Sequence, residues 1–157
     1  MDRDGVINVD KGHVYRVKDF QFIDGIFELS QNAILNNYKI IVITNQAGIG
    51  RGYYKRSDFH LLTSWMCKEF QREGIHITKV YFSPYHPIHG IGKYKKDHIS
   101  RKPNPGMILE AVSEFNLDLT QSVLIGDKSS DIYAGINAGI RTNLLFTEDN
   151  VDDEIKN

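Results

Sequence analysis

The stretch Ile40-Ile41-Val42-Ile43-Thr44-Asn45-Gln46-Ala47-Gly48-Ile49-Gly50-Arg51-Gly52 decides the fold. Four β-branched apolar residues in succession, with no polar alternation, read as a strand covered on both faces, which is the pattern of a parallel sheet. The hydroxyl, amides and glycines that follow suit a turn and also let backbone N–H groups approach an anion. Working outward, Val80-Tyr81-Phe82, Val123-Leu124-Ile125 and Leu144-Leu145-Phe146 are shorter runs of the same kind. Helical periodicity lies between them. Ile26, Leu29, Ala33 and Ile34 share a face over about 24–37, and Phe59, Leu62, Trp65, Met66 and Phe70 over about 57–73. Asn104-Pro105 reads as a capping residue ahead of a Pro at the first helical position, opening a helix to about Phe115. Ser129 and Ser130 open a last helix that Gly139 closes. This alternation predicts an α/β, doubly wound parallel sheet.

Composition bounds the function. The 157 residues amount to one domain, spanning 1–157, with 41% hydrophobic and 25% charged residues, as in an ordinary globular protein. Nineteen Lys and Arg against 20 Asp and Glu leave a formal charge of -1, which argues against a nucleic-acid or acidic-membrane surface but allows a local basic pocket. A single cysteine, Cys67, excludes an internal disulfide framework and a Cys-rich zinc site. No apolar run is long enough to span a bilayer and no apolar signal segment opens the chain, so a cytoplasmic protein without membrane or nucleic-acid partners is expected, with a monomer as the default. The stretch from about Pro84 to Ser100 reads as a long functional excursion, and the acidic Glu148–Asn157 as a loop or frayed end.

Four clusters fall at strand ends or just beyond, where an open α/β sheet places its ligands. Asp2-Arg3-Asp4-Gly5 offers two carboxylates to one crevice, one suited to nucleophilic attack and the other to proton transfer; alone it is also a common acidic turn. Thr44 to Gly52 is the second cluster. In the third, Arg101-Lys102-Pro103-Asn104 places two cations ahead of a helix N-terminus that itself favours anions. In the fourth, Gly126-Asp127-Lys128-Ser129-Ser130-Asp131 carries an acid and a partner four residues on. That suits a hard divalent cation, although either acid also reads as a helix cap. Each is ordinary by itself; the ordered set is not.

In this order the motifs resemble the haloacid-dehalogenase-like phosphohydrolases, and within them the heptose-bisphosphate phosphatases with their histidinol-phosphate phosphatase relatives, over about residues 1–147. The resemblance implies a HAD-type Rossmann-like sheet in the order 5-4-1-2-3. It implies removal of the 7-phosphate of D-glycero-D-manno-heptose 1,7-bisphosphate through an aspartyl-phosphate, in nucleotide-heptose synthesis for surface polysaccharide. Histidinol phosphate is the alternative substrate, and a non-catalytic phosphosugar-binding domain the alternative of another class. It further implies Asp2 as nucleophile and Asp4 as general acid and base, with Thr44 and Lys102 holding the phosphoryl group. Mg2+ would rest on Asp2, the Asp4 carbonyl and Asp127. Asp10, Lys11, Gly12, His13, Asn45, Gln46, Ala47, Arg101 and Lys128 would contact a small sugar-phosphate substrate.

Two departures from the family pattern carry expectations. Relatives often hold zinc on a Cys-x-His and a Cys-x-Cys pair; Ser83, Tyr85, His98 and Ser100 occupy those positions here, so zinc is expected to be absent and His86, His89 and His98 to be solvated loop residues. In the family the nucleophile ends a central first strand, whereas only Met1 precedes Asp2, and the final elements also look short. The chain is therefore expected to be a truncated version of a longer one, lacking its first strand.

Overall fold

The computed structural model describes residues 1–147. Two pairs of parallel strands form two two-stranded sheets. β1 (Ile40–Asn45) pairs with β2 (Ile77–Ser83), Val42 opposite Val80 and Thr44 opposite Phe82. β3 (Val123–Gly126) pairs with β4 (Thr142–Leu145), Gly126 opposite Leu145. Parallel neighbours need crossovers, and helices supply them. α1 (Ile26–Leu35) precedes β1, and α2 (Ala47–Gly50) with α3 (Arg56–Arg72) leads to β2. α4 (Gly106–Phe115) then leads to β3, and α5 (Ser129–Ala138) to β4. Among the described residues no helix is long and apolar enough to cross a membrane.

Adjacent residues of β1 point into different cores, which is why its apolar run is unbroken. Val42 packs with Leu62, Met66 and Phe70 of α3 and with Ile7, Phe20 and Ile26. Ile43 packs on the other side with Met107, Ile108 and Ala111 of α4, Leu124 of β3 and Ala134 of α5. Rings of Phe20, Phe22, Phe27, Trp65 and Phe70 meet at centroid distances of 4.8 to 5.9 Å beneath α1 and α3. Phe70 is fully buried, and truncating such a ring to Ala costs about 3–5 kcal/mol.

Among the described residues, backbone hydrogen bonds link the two strand pairs through Met1 and Asp2. The Ile43 N–H donates to the Met1 carbonyl (2.9 Å), the Met1 ammonium donates to the Ile41 carbonyl (2.8 Å), and the Asp2 N–H donates to the Ile125 carbonyl (2.9 Å). Beyond them the edges of β1 and β3 flank a groove of about 700 Å3 lined by Ile41, Ile43, Ile108, Leu124 and Ile125.

Two sequence expectations are corrected. Leu144-Leu145 is not covered on both faces: each residue is 49% exposed, because among the described residues β4 is an edge strand, paired with β3 and packed against by α5. Asn104 does not cap α4. Pro105 occupies that position with its carbonyl accepting from Leu109, while the Asn104 amide is drawn to the preceding loop, donating to Asp97 Oδ1 (3.0 Å) and the His98 carbonyl (3.1 Å). Lys128, one residue before Ser129, precedes α5, and Gly139 closes it at φ 93° as its lack of a Cβ allows. The reading of Glu148–Asn157 as a loop lies outside the described residues.

Candidate active site

The site grows from one buried ammonium. Lys102 Nζ donates to Asp2 Oδ1 (2.9 Å), Asp131 Oδ1 (2.6 Å) and the Ile43 carbonyl (2.9 Å), so all three of its hydrogens are used. A buried charge persists only when paired in this way. The Lys102 backbone is clamped by the last residue of β1: its N–H donates to Asn45 Oδ1 (3.0 Å) and its carbonyl accepts from Asn45 Nδ2 (3.1 Å). Asp131 is anchored at the start of α5, where its Oδ2 accepts the Lys128 N–H (3.0 Å). Asp2 Oδ1 also accepts the Arg3 N–H (2.7 Å), which leaves Oδ2 without a protein donor among the described residues.

Asp4 is fixed by a separate set of donors. Arg3 Nη2 reaches both its oxygens (2.7 and 2.9 Å), Asn8 Nδ2 its Oδ1 (3.0 Å) and Gln46 Nε2 its Oδ2 (3.0 Å). Gln46 Nε2 donates to the buried Thr44 hydroxyl as well (2.9 Å), and its Oε1 accepts from the Tyr54 hydroxyl. Arg3, 1% exposed, is therefore a buried brace between the two acids. The chain turns immediately after Asp4 at Gly5, whose φ of 89° and collision course between any Cβ and the Asp127 carboxylate both require glycine. That turn brings the first and fourth clusters together.

Asp2, Asp127 and Asp131 each place an oxygen within 4.8 Å of the others. Asp127 Oδ1 is buried with no hydrogen-bond partner. Burial pushes the Asp127 carboxyl up to about 6, with the charges of Asp2 and Asp131 adding to the rise and Lys128 opposing it. Burial raises Asp2 too, against the pull of Lys102. A concentration of oxygen donors with one unsatisfied suits a hard divalent cation such as Mg2+.

A cleft of about 360 Å3 opens above this network. Of the residues singled out in the sequence, Asp2, Asp4, Asp10, Gly12, His13, Asn45, Gln46, Ala47, Arg101, Lys102 and Lys128 line it. Thr44 lies beneath, buried, and Asp127 adjoins through the carboxylate trio. Lys11 is exposed and outside the lining. Lys128 is tied to Asp10 (2.8 Å), which also accepts the Gly12 N–H (3.0 Å). Sequence reasoning left Asp131 open as a helix acid and passed over Arg3, Arg51, Tyr54 and His86. Arg51 stands inside the quoted Gly-Arg-Gly, whereas nothing in the sequence marks Arg3 as buried.

The β2–α4 loop is braced by side chains. Ser100 Oγ donates to Ser83 Oγ (2.9 Å), His98 Nδ1 accepts the Ser100 N–H (3.1 Å), and the His98 ring stacks on Tyr85 with centroids 4.0 Å apart. Arg101 Nη1 donates to the Tyr85 carbonyl (2.9 Å). His86 Nδ1 accepts the N–H groups of Ile88 and His89. His86 and His98, both half-buried, also tie the loop's own backbone, because a segment without sheet partners must satisfy its own polar groups, whereas His89 is exposed.

Paired acids in an Asp-x-Asp-Gly turn, a hydroxyl after β1, a buried lysine ahead of α4 and an acid after β3 define a haloacid-dehalogenase-like phosphohydrolase. The HAD-hydrolase-like family matches residues 99–157. A D-glycero-alpha-D-manno-heptose-1,7-bisphosphate 7-phosphatase of Burkholderia mallei is 56% identical over 148 residues, 94% of this chain and 78% of the relative. One from Campylobacter jejuni is 48% identical over 95% of this chain and 81% of its own. The crystal structure of a HAD-like phosphatase from Mesorhizobium loti superposes with a TM-score of 0.87 at 35% identity, covering 92% of this chain and 69% of that one. The chain belongs to the heptose-1,7-bisphosphate 7-phosphatase family of HAD-like hydrolases.

Proposed function

We propose that the protein removes the 7-phosphate of D-glycero-D-manno-heptose 1,7-bisphosphate in a Mg2+-dependent reaction through an aspartyl-phosphate. The observation that carries it is the buried Asp2–Lys102–Asp131 network beside an unsatisfied carboxylate oxygen, in a chain 56% identical to a phosphatase of that name. Asp2 attacks phosphorus, forming an acyl phosphate as the ester P–O bond breaks. Asp4, oriented by Arg3, Asn8 and Gln46, passes a proton to the departing sugar oxygen and then takes one from the water that attacks the acyl phosphate, releasing phosphate and restoring Asp2. Lys102 and Thr44 hold the transferring group. Arg101, Lys128 and Asp10, with Gly12, His13, Asn45, Gln46 and Ala47, contact the rest of the substrate.

Mg2+ would rest on Asp2, the Asp4 carbonyl and Asp127, with Asp131 joining that set; it supplies the positive charge that offsets repulsion between a carboxylate nucleophile and a phosphate dianion. Phosphate release with Mg2+ from both anomers of the bisphosphate and from histidinol phosphate tests the reading. At least tenfold greater kcat/KM for one bisphosphate anomer is expected. Preference for histidinol phosphate would reassign the substrate, and turnover of none would favour a binding domain.

A further inference from the structure

Of the three side chains that hold Asp4, only Gln46 lines the cleft; Arg3 and Asn8 reach the carboxylate from outside that lining. The Gln46 amide is buried and its two hydrogens are divided, one to Asp4 Oδ2 (3.0 Å) and one to the Thr44 hydroxyl oxygen (2.9 Å). Among the described residues the Thr44 O–H has no acceptor of its own, so an amide N–H on its oxygen leaves its proton for a phosphoryl oxygen. Both effects depend on which way the amide faces. A flipped amide would set Oε1 against the Asp4 carboxylate and take up the Thr44 proton.

Tyr54 fixes that orientation from the other side. Its hydroxyl donates to Gln46 Oε1, and no other group donates there among the described residues. Burial raises the Tyr54 hydroxyl above its ordinary pKa, against the charge of Arg3, so it stays a donor. The ring is held by its neighbours. It stacks on Tyr15 with centroids 4.9 Å apart and planes 7° from parallel. Ile49 and Phe59 pack with it. It lies so close to α2 that a Cβ on Gly48 would stand 2.2 Å from Tyr54 Cε1, which makes glycine there the condition for the ring's position. The Tyr53 N–H ties the same segment to the Gly48 carbonyl (2.8 Å). The Tyr54 hydroxyl makes no hydrogen bond to Asp4 or Thr44, so its influence on them passes through Gln46.

We infer that Tyr54 is a positioning residue for phosphoryl transfer, its hydroxyl holding the Gln46 amide in the orientation that gives one N–H to Asp4 and the other to Thr44. The inference rests on the roles proposed for Asp4 and Thr44 and goes further by naming what sets their geometry. Without the phenol oxygen, Gln46 Oε1 is a buried acceptor lacking a donor, a costly state that the amide relieves by turning. Asp4 then loses its donor on the cleft side, and Thr44 loses the bond that keeps its proton free. Phe at this position preserves the stacking on Tyr15 and removes the oxygen alone.

The test compares wild type, Tyr54→Phe, Gln46→Met and the double variant on heptose 1,7-bisphosphate and p-nitrophenyl phosphate. The sugar alkoxide needs a proton from Asp4 to depart, whereas nitrophenolate departs without one. Tyr54→Phe should lower kcat/KM at least tenfold on the bisphosphate, through kcat with KM within twofold, and no more than threefold on the aryl ester. The double variant should match Gln46→Met within twofold, as residues acting as a unit do. A Tyr54→Phe protein within twofold of wild type on the bisphosphate, equal losses on the two esters, or additive losses in the double variant overturns the proposal. A second arm reads the amide itself by NMR. The side-chain NH2 signals of Gln46, assigned by their loss in Gln46→Met, should be protected from solvent exchange in wild type and lose that protection at least tenfold in Tyr54→Phe. Unchanged protection overturns the proposal whatever the kinetics. A wild type that turns over neither ester but shows the loss of protection withdraws the roles of Asp4 and Thr44 and keeps the hold of Tyr54 on Gln46.

Discussion

Lys102 Nζ stands 2.9 Å from Asp2 Oδ1, with both side chains buried. The pair joins the two ends of the site, since Asp2 lies between the strand pairs and Lys102 leads into α4. The same ammonium is the partner of Asp131. Lys102→Met therefore leaves two buried carboxylates uncompensated. Breaking a buried pair from one side costs about 3–5 kcal/mol, and each kcal/mol lowers Tm by roughly 2–4 °C for a domain of this size. Thermal unfolding should show a fall of roughly 10 °C, together with loss of turnover by about a thousandfold or more. A variant that keeps wild-type Tm would show the network to be dispensable for folding.

Asp127 sits among like charges with one oxygen unsatisfied. Its replacement should stabilise the metal-free protein while removing the response to metal. Without Mg2+, Asp127→Asn is expected to melt a few degrees above wild type. With Mg2+ in large excess, wild type should rise and the variant should not, as binding to the folded state requires. Equal Mg2+ shifts in the two proteins would place the cation elsewhere.

The groove between β1 and β3 is lined by the apolar side chains of Ile41, Ile43, Ile108, Leu124 and Ile125. A five-residue apolar, β-branched extension ahead of Met1 should enter it, pair with both edges and bury several side chains, each contributing about 1.5–3 kcal/mol before ordering costs. A Tm increase of about 5 °C or more is expected. An extension of Ser and Gly should give none, and equal effects from the two would contradict strand insertion.

The β2–α4 loop carries Arg101 through its bond to the Tyr85 carbonyl, and Tyr85 is stacked on His98. His98→Ala should raise KM several-fold with a smaller change in kcat, whereas His76→Ala, on an exposed residue outside the cleft, should change neither. Metal analysis of the purified wild type is expected to find no stoichiometric zinc, since Ser83 and Ser100 stand where thiolate ligands would be. One tightly held zinc per chain would overturn that expectation.

Much of this was legible in the sequence because local physics and tertiary position agree. The uninterrupted run of β1 and the periodicity of α3 predicted elements that the structure places within a residue or two. Asp2, Asp4, Asn45, Arg101 and Lys102 converge because strand ends do. What escaped depends on tertiary contact. Nothing in the sequence marks Arg3 as buried, yet it is a buried brace; Asp131, read as a cation partner or a helix cap, is both cap and Lys102 partner; and Asn104 prefers loop acceptors to a helix start. Leu144-Leu145 carries the composition of a buried strand at a sheet edge. Periodicity cannot report which strand has only one neighbour.

The most direct test is phosphate release from D-glycero-D-manno-heptose 1,7-bisphosphate with Mg2+, comparing wild type with Asp2→Asn. The account predicts one phosphate released per sugar by wild type, with the 1-phosphate retained, and turnover at least a thousandfold lower in the folded variant. Release of the 1-phosphate, or undiminished turnover in Asp2→Asn, would contradict it.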